Sequence, residues 1–191
     1  MNIGIGAGTL EAISLAKGVN IHSVDPSTRA IERLRTTLNL GDKARVGYAE
    51  SIPFPPETFD VVVMSEVLEH LDDSNLDGAF REVRRTLKPD GFLLTTTPYR
   101  ENLRDNRVVC PCCGKVFHRM GHVRSFDKPG LTELLTQHQY AIDRMFVTAF
   151  VDWRRKGVLN QIKSVARILL ARLGEAMADP HLVALARKRS T

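Results

Sequence analysis

Met1-Asn2-Ile3-Gly4-Ile5-Gly6-Ala7-Gly8-Thr9 opens the chain with a glycine at every second position after an apolar start. This is what a turn from a buried strand into a helix requires: without a Cβ, the backbone bends sharply and passes close to whatever lies against it. Taken alone, the stretch suits a nucleotide-like ligand and a plain tight loop equally well. The next residues narrow the choice. Thr9 to Lys17 carries Leu10, Ile13, Leu15 and Ala16 for packing and is closed by Gly18, which predicts a helix. Val19 to Val24 alternates as a strand does and ends at Asp25. A carboxylate there can accept hydrogen bonds from both hydroxyls of a ribose lying across the sheet edge. Ahead of Pro26 and Ser27, it also suits the cap of a helix expected from Ser27 to Leu38.

The glycines stand at 4, 6 and 8, whereas the dinucleotide fingerprint wants the third one position later, where Thr9 is. Further on come Tyr48-Ala49-Glu50-Ser51-Ile52-Pro53-Phe54, then Phe59-Asp60-Val61-Val62-Val63-Met64-Ser65-Glu66-Val67-Leu68-Glu69-His70-Leu71, then Leu87-Lys88-Pro89-Asp90-Gly91-Phe92 leading into a β-rich run. In this order, across residues 1 to 98, the motifs resemble a class I S-adenosylmethionine-dependent methyltransferase of the type 11 kind. The resemblance implies an α/β fold, a Rossmann-like seven-stranded sheet flanked by helices, with the cofactor over the carboxyl ends of the first strands. It places Gly4, Gly6 and Gly8 under the methionine portion, Asp25 at the ribose, and Ala49 with Glu50 near the adenine. Two positions depart from the pattern: Asn2 stands where an acid is usual and Tyr48 where Asp is common. The family also has a longer segment before the glycine turn, so the expectation is a truncated first strand and a fragment or misplaced start.

Methyl transfer from a sulfonium is an in-line displacement, so the protein mainly aligns the nucleophile and, for a hydroxyl, removes its proton. Read as helix, Glu66, Glu69 and His70 fall at i, i+3 and i+4 and share a face. There they can serve as base and orienter, with His70 the best candidate base, or can ligate a divalent cation, as the same string does in the ubiquinone-pathway O-methyltransferases it resembles. They also suit helix N-terminal acids beside a packed histidine.

The three cysteines all lie between 110 and 113, too close together for a disulfide framework. Cys110, Cys113, His118 and His122 give C-x2-C-x4-H-x3-H, four N/S donors of the kind a structural Zn²⁺ takes. This predicts a zinc knuckle at 108–124, inserted after the fifth strand and roofing the substrate site, with Arg119, Arg124 and His122 available to an anionic substrate. It has no groove-reading helix, so a nucleic-acid partner is not expected.

The net charge of +5 is uneven. From Arg154 onward, nine Lys or Arg face only Glu175 and Asp179, a local +7, which leaves the first 153 residues at −2. Within this tail Ile162, Val165, Ala166, Leu169, Leu173 and Met177 recur at helical spacing, predicting an amphipathic helix inserted at about 155–178. It is expected to pack on its own sheet or on a second subunit as a homodimer; an anionic membrane surface is the other reading. At 191 residues the chain holds one α/β domain, 1–191, with no apolar run long enough for a span and no signal peptide, which suggests a cytoplasmic protein. The expected activity is methylation of an oxygen on a small-molecule, lipid or glycan acceptor. The competing reading is an inactive relative binding a partner through the knuckle and the basic region.

Overall fold

A computed structural model describes residues 1–151 and 157–189. Its centre is a seven-stranded sheet made of β1 (Asn2–Ile3), β2 (Ser23–Asp25), β3 (Ala44–Val46), β4 (Phe59–Ser65), β5 (Leu87–Pro98), β8 (Tyr140–Ala149) and β9 (Pro180–Lys188). The strands run in the order β3-β2-β1-β4-β5-β9-β8. The first five are parallel, and β9 enters antiparallel between β5 and β8. This is the expected fold class. The predicted short first strand is there too: β1 pairs over Asn2 and Ile3 with Ser23 and Val24 on one side and Val63 and Met64 on the other.

The helices are α1 (Thr9–Ala16), α2 (Thr28–Thr37), α3 (Asp73–Thr86), α4 (Lys128–Gln137) and α5 (Val158–Arg172). Three begin at the side chain their sequence offers: Ser27 accepts from Ala30 N, Asp72 from Asn75 N and Asp127 from Gly130 N. Each such cap is worth about 1 kcal/mol. The cap of α2 is therefore Ser27, which frees Asp25 for another task. The main core gathers Leu76, Phe80 and Val83 of α3 with Leu131 and Leu135 of α4 against Val62, Met64, Leu93 and Leu182 of the sheet. A smaller core joins Ile5, Ile21, Ile31, Leu34, Leu40 and Ala44.

Between β5 and α4 the chain makes a hairpin of β6 (Arg107–Val109) and β7 (Val116–His118) with the cysteines at its tip. The excursion closes on itself at its base, where Tyr99 bridges Phe126 and Arg100 N donates to Phe126 O.

Helix α5 corrects an expectation. It sits beside β8 through Ala171, which is fully buried with Ala149 and Ala178. The predicted apolar face turns outward instead: Ile162 is 59% exposed, Leu169 53% and Leu173 78%. The small residue wins the contact because it lets the helix approach the strand closely, and the larger ones are left without a covering surface among the described residues. Arg154, Arg155 and Lys156, which the sequence places at the start of this basic segment, lie outside the described residues. Among the described residues, no helix is long and apolar enough to cross a membrane.

Candidate functional site

The glycine turn leaves β1 and lines a cavity of about 550 Å³ together with Asn2, Asp25, Ser65, Glu66 and Thr96. Gly4, Gly6 and Gly8 all have positive φ, at 77°, 51° and 82°. They do different jobs. Gly4 and Gly6 line the cavity; a Cβ on Gly4 would stand 2.6 Å from Val67 Cγ2, while one on Gly6 would meet nothing within 4 Å. Gly8 caps α1 in the left-handed conformation, and a Cβ there would come within 2.7 Å of Leu34 Cδ2. Its requirement is structural.

Asp25 holds this turn in place. Its Oδ2 accepts from Ile5 N at 3.0 Å and its Oδ1 from Ser27 N at 2.8 Å, while Arg33 Nη2 donates to Gly6 O at 2.8 Å. Each carboxylate oxygen keeps one further lone pair for the cavity. Asn2 is buried, lines the same cavity, and donates its Nδ2 to Glu11 Oε1 at 2.8 Å; Ser23 Oγ donates to the same oxygen at 2.9 Å. The carboxylate fixes the amide so that Asn2 Oδ1, which has no partner among the described residues, is the atom left over. Glu11, fully buried in α1, thus supplies an acid one layer behind the position where the sequence shows Asn2. Reading the chain alone missed this pairing: Glu11 is the buried residue of α1, while Ile13 and Leu15, expected to pack, are exposed.

Ala49 and Glu50 are placed differently from the glycines. Ala49 belongs to the main core and Glu50 packs against Gly78 of α3, so neither is among the residues lining this cavity. The following Ile52-Pro53-Phe54 segment is fastened to α3, since Ile52 N donates to Glu82 and Arg85 donates to Ile52 O and Phe54 O.

Glu66, Glu69 and His70 do not share a helical face. Glu66 ends β4 in the left-handed region with φ 56°, Leu68–His70 is a single 3₁₀ turn, and α3 begins only at Asp73. A non-glycine residue at positive φ costs on the order of 1–3 kcal/mol and persists where its surroundings hold it. Here Glu66 N donates to Thr96 O, Thr96 Oγ1 donates to Glu66 Oε1 at 2.7 Å, and His181 Nε2 lies 3.3 Å from Oε2. Burial alone would lower the His181 pKa, but the Glu66 carboxylate together with Asp179 more than offsets it and leaves it raised.

Glu66 also lines a second cavity, of about 580 Å³, together with Glu69, His70, Arg100, Glu101, His122 and His181. Glu69 is 1% exposed, and burial pushes its carboxyl up to about 7. His70 is held below its ordinary value by burial first and by the neighbouring His122 second.

The Cys/His knuckle is not assembled as the spacing predicts. Cys110 sits at the hairpin tip, where Gly114 N donates to Cys110 O and Cys110 N to Lys115 O. Its thiol is held below the ordinary value by the backbone N–H groups of Cys112 and Cys113. His118 and His122 face the other way, against Glu101: His122 Nδ1 is 2.5 Å from Glu101 Oε2 and His118 Nε2 3.4 Å from Oε1. Among the described residues, the groups of three or more metal-capable side chains are Glu69–His70–His122 and Glu101–His118–His122, and neither contains a cysteine. The hairpin separates the two halves because the cysteines lie at its tip, while His118 ends its second strand at the base and His122 follows. Arg124 is partly engaged as well, donating Nε to Leu71 O and Nη2 to Asp73. Glu101, missed in the sequence, sits just beyond the carboxyl end of β5, where α/β sheets hold their ligands.

Comparison with known proteins decides the family. Residues 1–95 match the family described as a methyltransferase domain. This half of the chain is a class I methyltransferase domain. It is 33% identical over 109 residues to the ubiquinone/menaquinone biosynthesis C-methyltransferase UbiE of Shewanella frigidimarina, covering 53% of this chain and 42% of that protein. It is 36% identical over 89 residues to YafE of Escherichia coli, covering 47% and 41%. The chain thus spans less than half the length of these two relatives. Among solved structures, a SAM-dependent methyltransferase from Methanosarcina mazei superposes with a TM-score of 0.70 at 19% identity, covering all of this chain and 92% of that one. A 1,6-didemethyltoxoflavin-N1-methyltransferase from Burkholderia thailandensis, with bound S-adenosylhomocysteine, gives 0.67 at 16%, covering 99% and 70%. At these identities the likeness is one of fold. Glu101, His118 and His122 all lie beyond the residues matched to the family.

Proposed function

We propose that this chain is an S-adenosylmethionine-dependent methyltransferase acting on an oxygen of a small-molecule, lipid or glycan acceptor. The observation that carries the reading is the pair of cavities meeting at Glu66, one at the glycine turn and one walled by carboxylates and imidazoles. The first suits the cofactor: Gly6 leaves an open cradle, Asn2 offers an unpartnered buried oxygen to an ammonium group, and Asp25 retains acceptor capacity for ribose hydroxyls. When bound, S-adenosylmethionine supplies an electrophilic methyl group on a sulfonium. The chain's own residues align an acceptor in the second cavity and take its proton. His70, kept neutral at pH 7 by its lowered pKa, suits the role of base.

Relatives methylate carbon and nitrogen by name, so the choice of oxygen rests on this wall alone. Two cavities that share Glu66 as a wall suit a cofactor beside an acceptor, which supports the enzyme over a binding module. Helix α5 fits an anionic lipid surface: its outward apolar face is flanked by Lys163 and Arg172, in a segment with a local +7 charge.

The test is product formation from methyl-labelled cofactor with acceptor mixtures sorted by class. Label in hydroxyl-bearing acceptors, lost in His70→Gln with cofactor affinity retained, supports the reading. Cofactor binding without transfer to any class counts against it.

A further inference from the structure

We infer that Glu69, His70 and His122 form a binding site for a divalent first-row metal ion, zinc in the first instance. One ligand atom from each of the three lies within 4.8 Å of the others. Moving each side chain by on the order of 1 Å reaches the ~3.4 Å separation of donors around tetrahedral zinc with ~2.1 Å bonds. Two further observations point to a ligand here. Glu69 is 1% exposed, yet neither of its carboxylate oxygens is met by a hydrogen bond of good geometry among the described residues; the nearby Thr97 hydroxyl and its own backbone N–H only partly offset its burial. An orphaned carboxylate in that position is costly unless something takes its charge. The two histidines, meanwhile, are arranged as metal ligands are. His122 Nδ1 donates to Glu101 and His70 Nδ1 faces Gly121 O at 3.4 Å, which leaves the Nε2 lone pair of each ring free. A carboxylate or carbonyl behind the far nitrogen is the usual support of a ligating imidazole.

The alternative trio, Glu101–His118–His122, is excluded by its tautomer. His122 N donates to His118 Nδ1 at 3.1 Å, so in the neutral ring His118 Nε2 carries the proton and has no lone pair to give. Glu66 does not join the group: its oxygens are turned to Thr96 and His181. The backbone binds the two halves of the site together, since Val123 N donates to Glu69 O at 2.8 Å. The family-matched half of the chain therefore supplies Glu69 and His70, and the excursion between β5 and α4 supplies His122 with its supporting Glu101. Two histidines and one carboxylate leave a fourth position open to an oxygen donor. The acceptor hydroxyl as that donor rests on the proposed methyl transfer to oxygen, with His70 then acting through the metal; the binding site does not depend on it.

Titration of the full chain with Co²⁺ alone, followed by absorption, tests the site without any turnover. The expected result is one equivalent bound with visible d–d bands and no sulfur-to-metal charge transfer in the near ultraviolet. The Cys110→Ser/Cys113→Ser double variant and Glu66→Gln should bind as the parent does. His122→Ala and Glu69→Gln should lose the bands, and Glu101→Gln, which keeps the shape of the support, should bind roughly 10–100-fold more weakly. Circular dichroism of each variant identifies any that has merely unfolded. Absence of Co²⁺ binding, or bands that persist in folded His122→Ala and vanish with the cysteines, overturns the assignment. Metal binding without methyl transfer would leave the site standing and count against the proposed function; methyl transfer without metal binding would do the reverse.

Discussion

Alanine substitutions at Gly4 and Gly6 separate the turn's two duties, which are to fold and to hold a ligand. Both residues have positive φ, so each substitution costs about 1–2 kcal/mol in backbone strain. At Gly6 that is the whole structural cost, because the new methyl meets nothing within 4 Å. At Gly4 the methyl would stand 2.6 Å from Val67 Cγ2, well inside the ~3.5–4.0 Å of an ordinary carbon contact. Overpacking of this kind adds roughly 1–3 kcal/mol. Gly4→Ala should therefore be the less stable of the two, by about 2–5 kcal/mol in total against about 1–2 for Gly6→Ala. A domain of this length loses roughly 2–4 °C in melting temperature per kcal/mol. The ligand effect runs in the opposite order relative to the structural one. The Gly6 methyl projects into space that the cofactor needs, so S-adenosylmethionine affinity should fall at least about tenfold, equivalent to ~1.4 kcal/mol. Thermal melts with and without cofactor read both quantities together, since a ligand at about 100 times its Kd raises stability by about 2.7 kcal/mol. The wild-type melt should shift upward with cofactor, and the Gly6→Ala melt should barely move despite its near-native starting point. A Gly6→Ala protein that is stabilised by cofactor as strongly as the wild type would refute the cradle.

Asn2→Leu removes a donor from the buried Glu11 carboxylate and should cost about 1–3 kcal/mol in urea unfolding, with weaker cofactor binding as well. His138 stacks on Phe80 with ring centroids 4.5 Å apart, and burial lowers its pKa. The unfolded chain then binds the extra proton first, so this contribution to stability is complete above about pH 6.5 and is lost as the pH falls through the folded value. Melting curves from pH 7.5 to pH 5 should show His138→Leu gaining on the wild type as the pH drops, and a constant difference would reject the assignment. Vesicles containing anionic lipid should sediment the protein in low salt and neutral vesicles should not; the Leu169→Glu/Leu173→Glu pair, on the exposed face of α5, should abolish the effect. Equal sedimentation by both kinds of vesicle would remove the charge argument.

The sheet was legible because its elements announce themselves locally. The apolar run of Val61 to Met64, the helix opening at Ser27 and the glycine turn each follow from neighbouring residues, and the seven-stranded sheet came with the resemblance they carry. The second cavity was harder to read. Its groups come from the end of β4, the loop after β5, the hairpin and the start of β9, and sequence spacing carries no information about such meetings. Spacing even misled: C-x2-C-x4-H-x3-H has the rhythm of one site, but a strand pairing of Val109 with Val116 keeps the cysteines and histidines apart. The Glu66–His70 string failed for a different reason. Glu66 takes a left-handed conformation because Thr96 and His181, distant in the chain, hold it there. The outward face of α5 shows the same limit, since periodicity identifies an apolar stripe without saying which way it points.

The closed neck at Tyr99 and Phe126 bears on how such a protein changes over evolutionary time. The chain between those two residues leaves the sheet and returns to it at one point, and its last stretch, Gly121 to Arg124, is tied to the Glu69–Asp73 segment, so the sheet itself does not register how long the hairpin is. Loop-closure entropy grows only logarithmically, by roughly 0.6 kcal/mol per doubling of length. A lineage can therefore exchange this cassette for another without renegotiating the core, altering one wall of the acceptor cavity in a single event while the glycine turn is inherited intact.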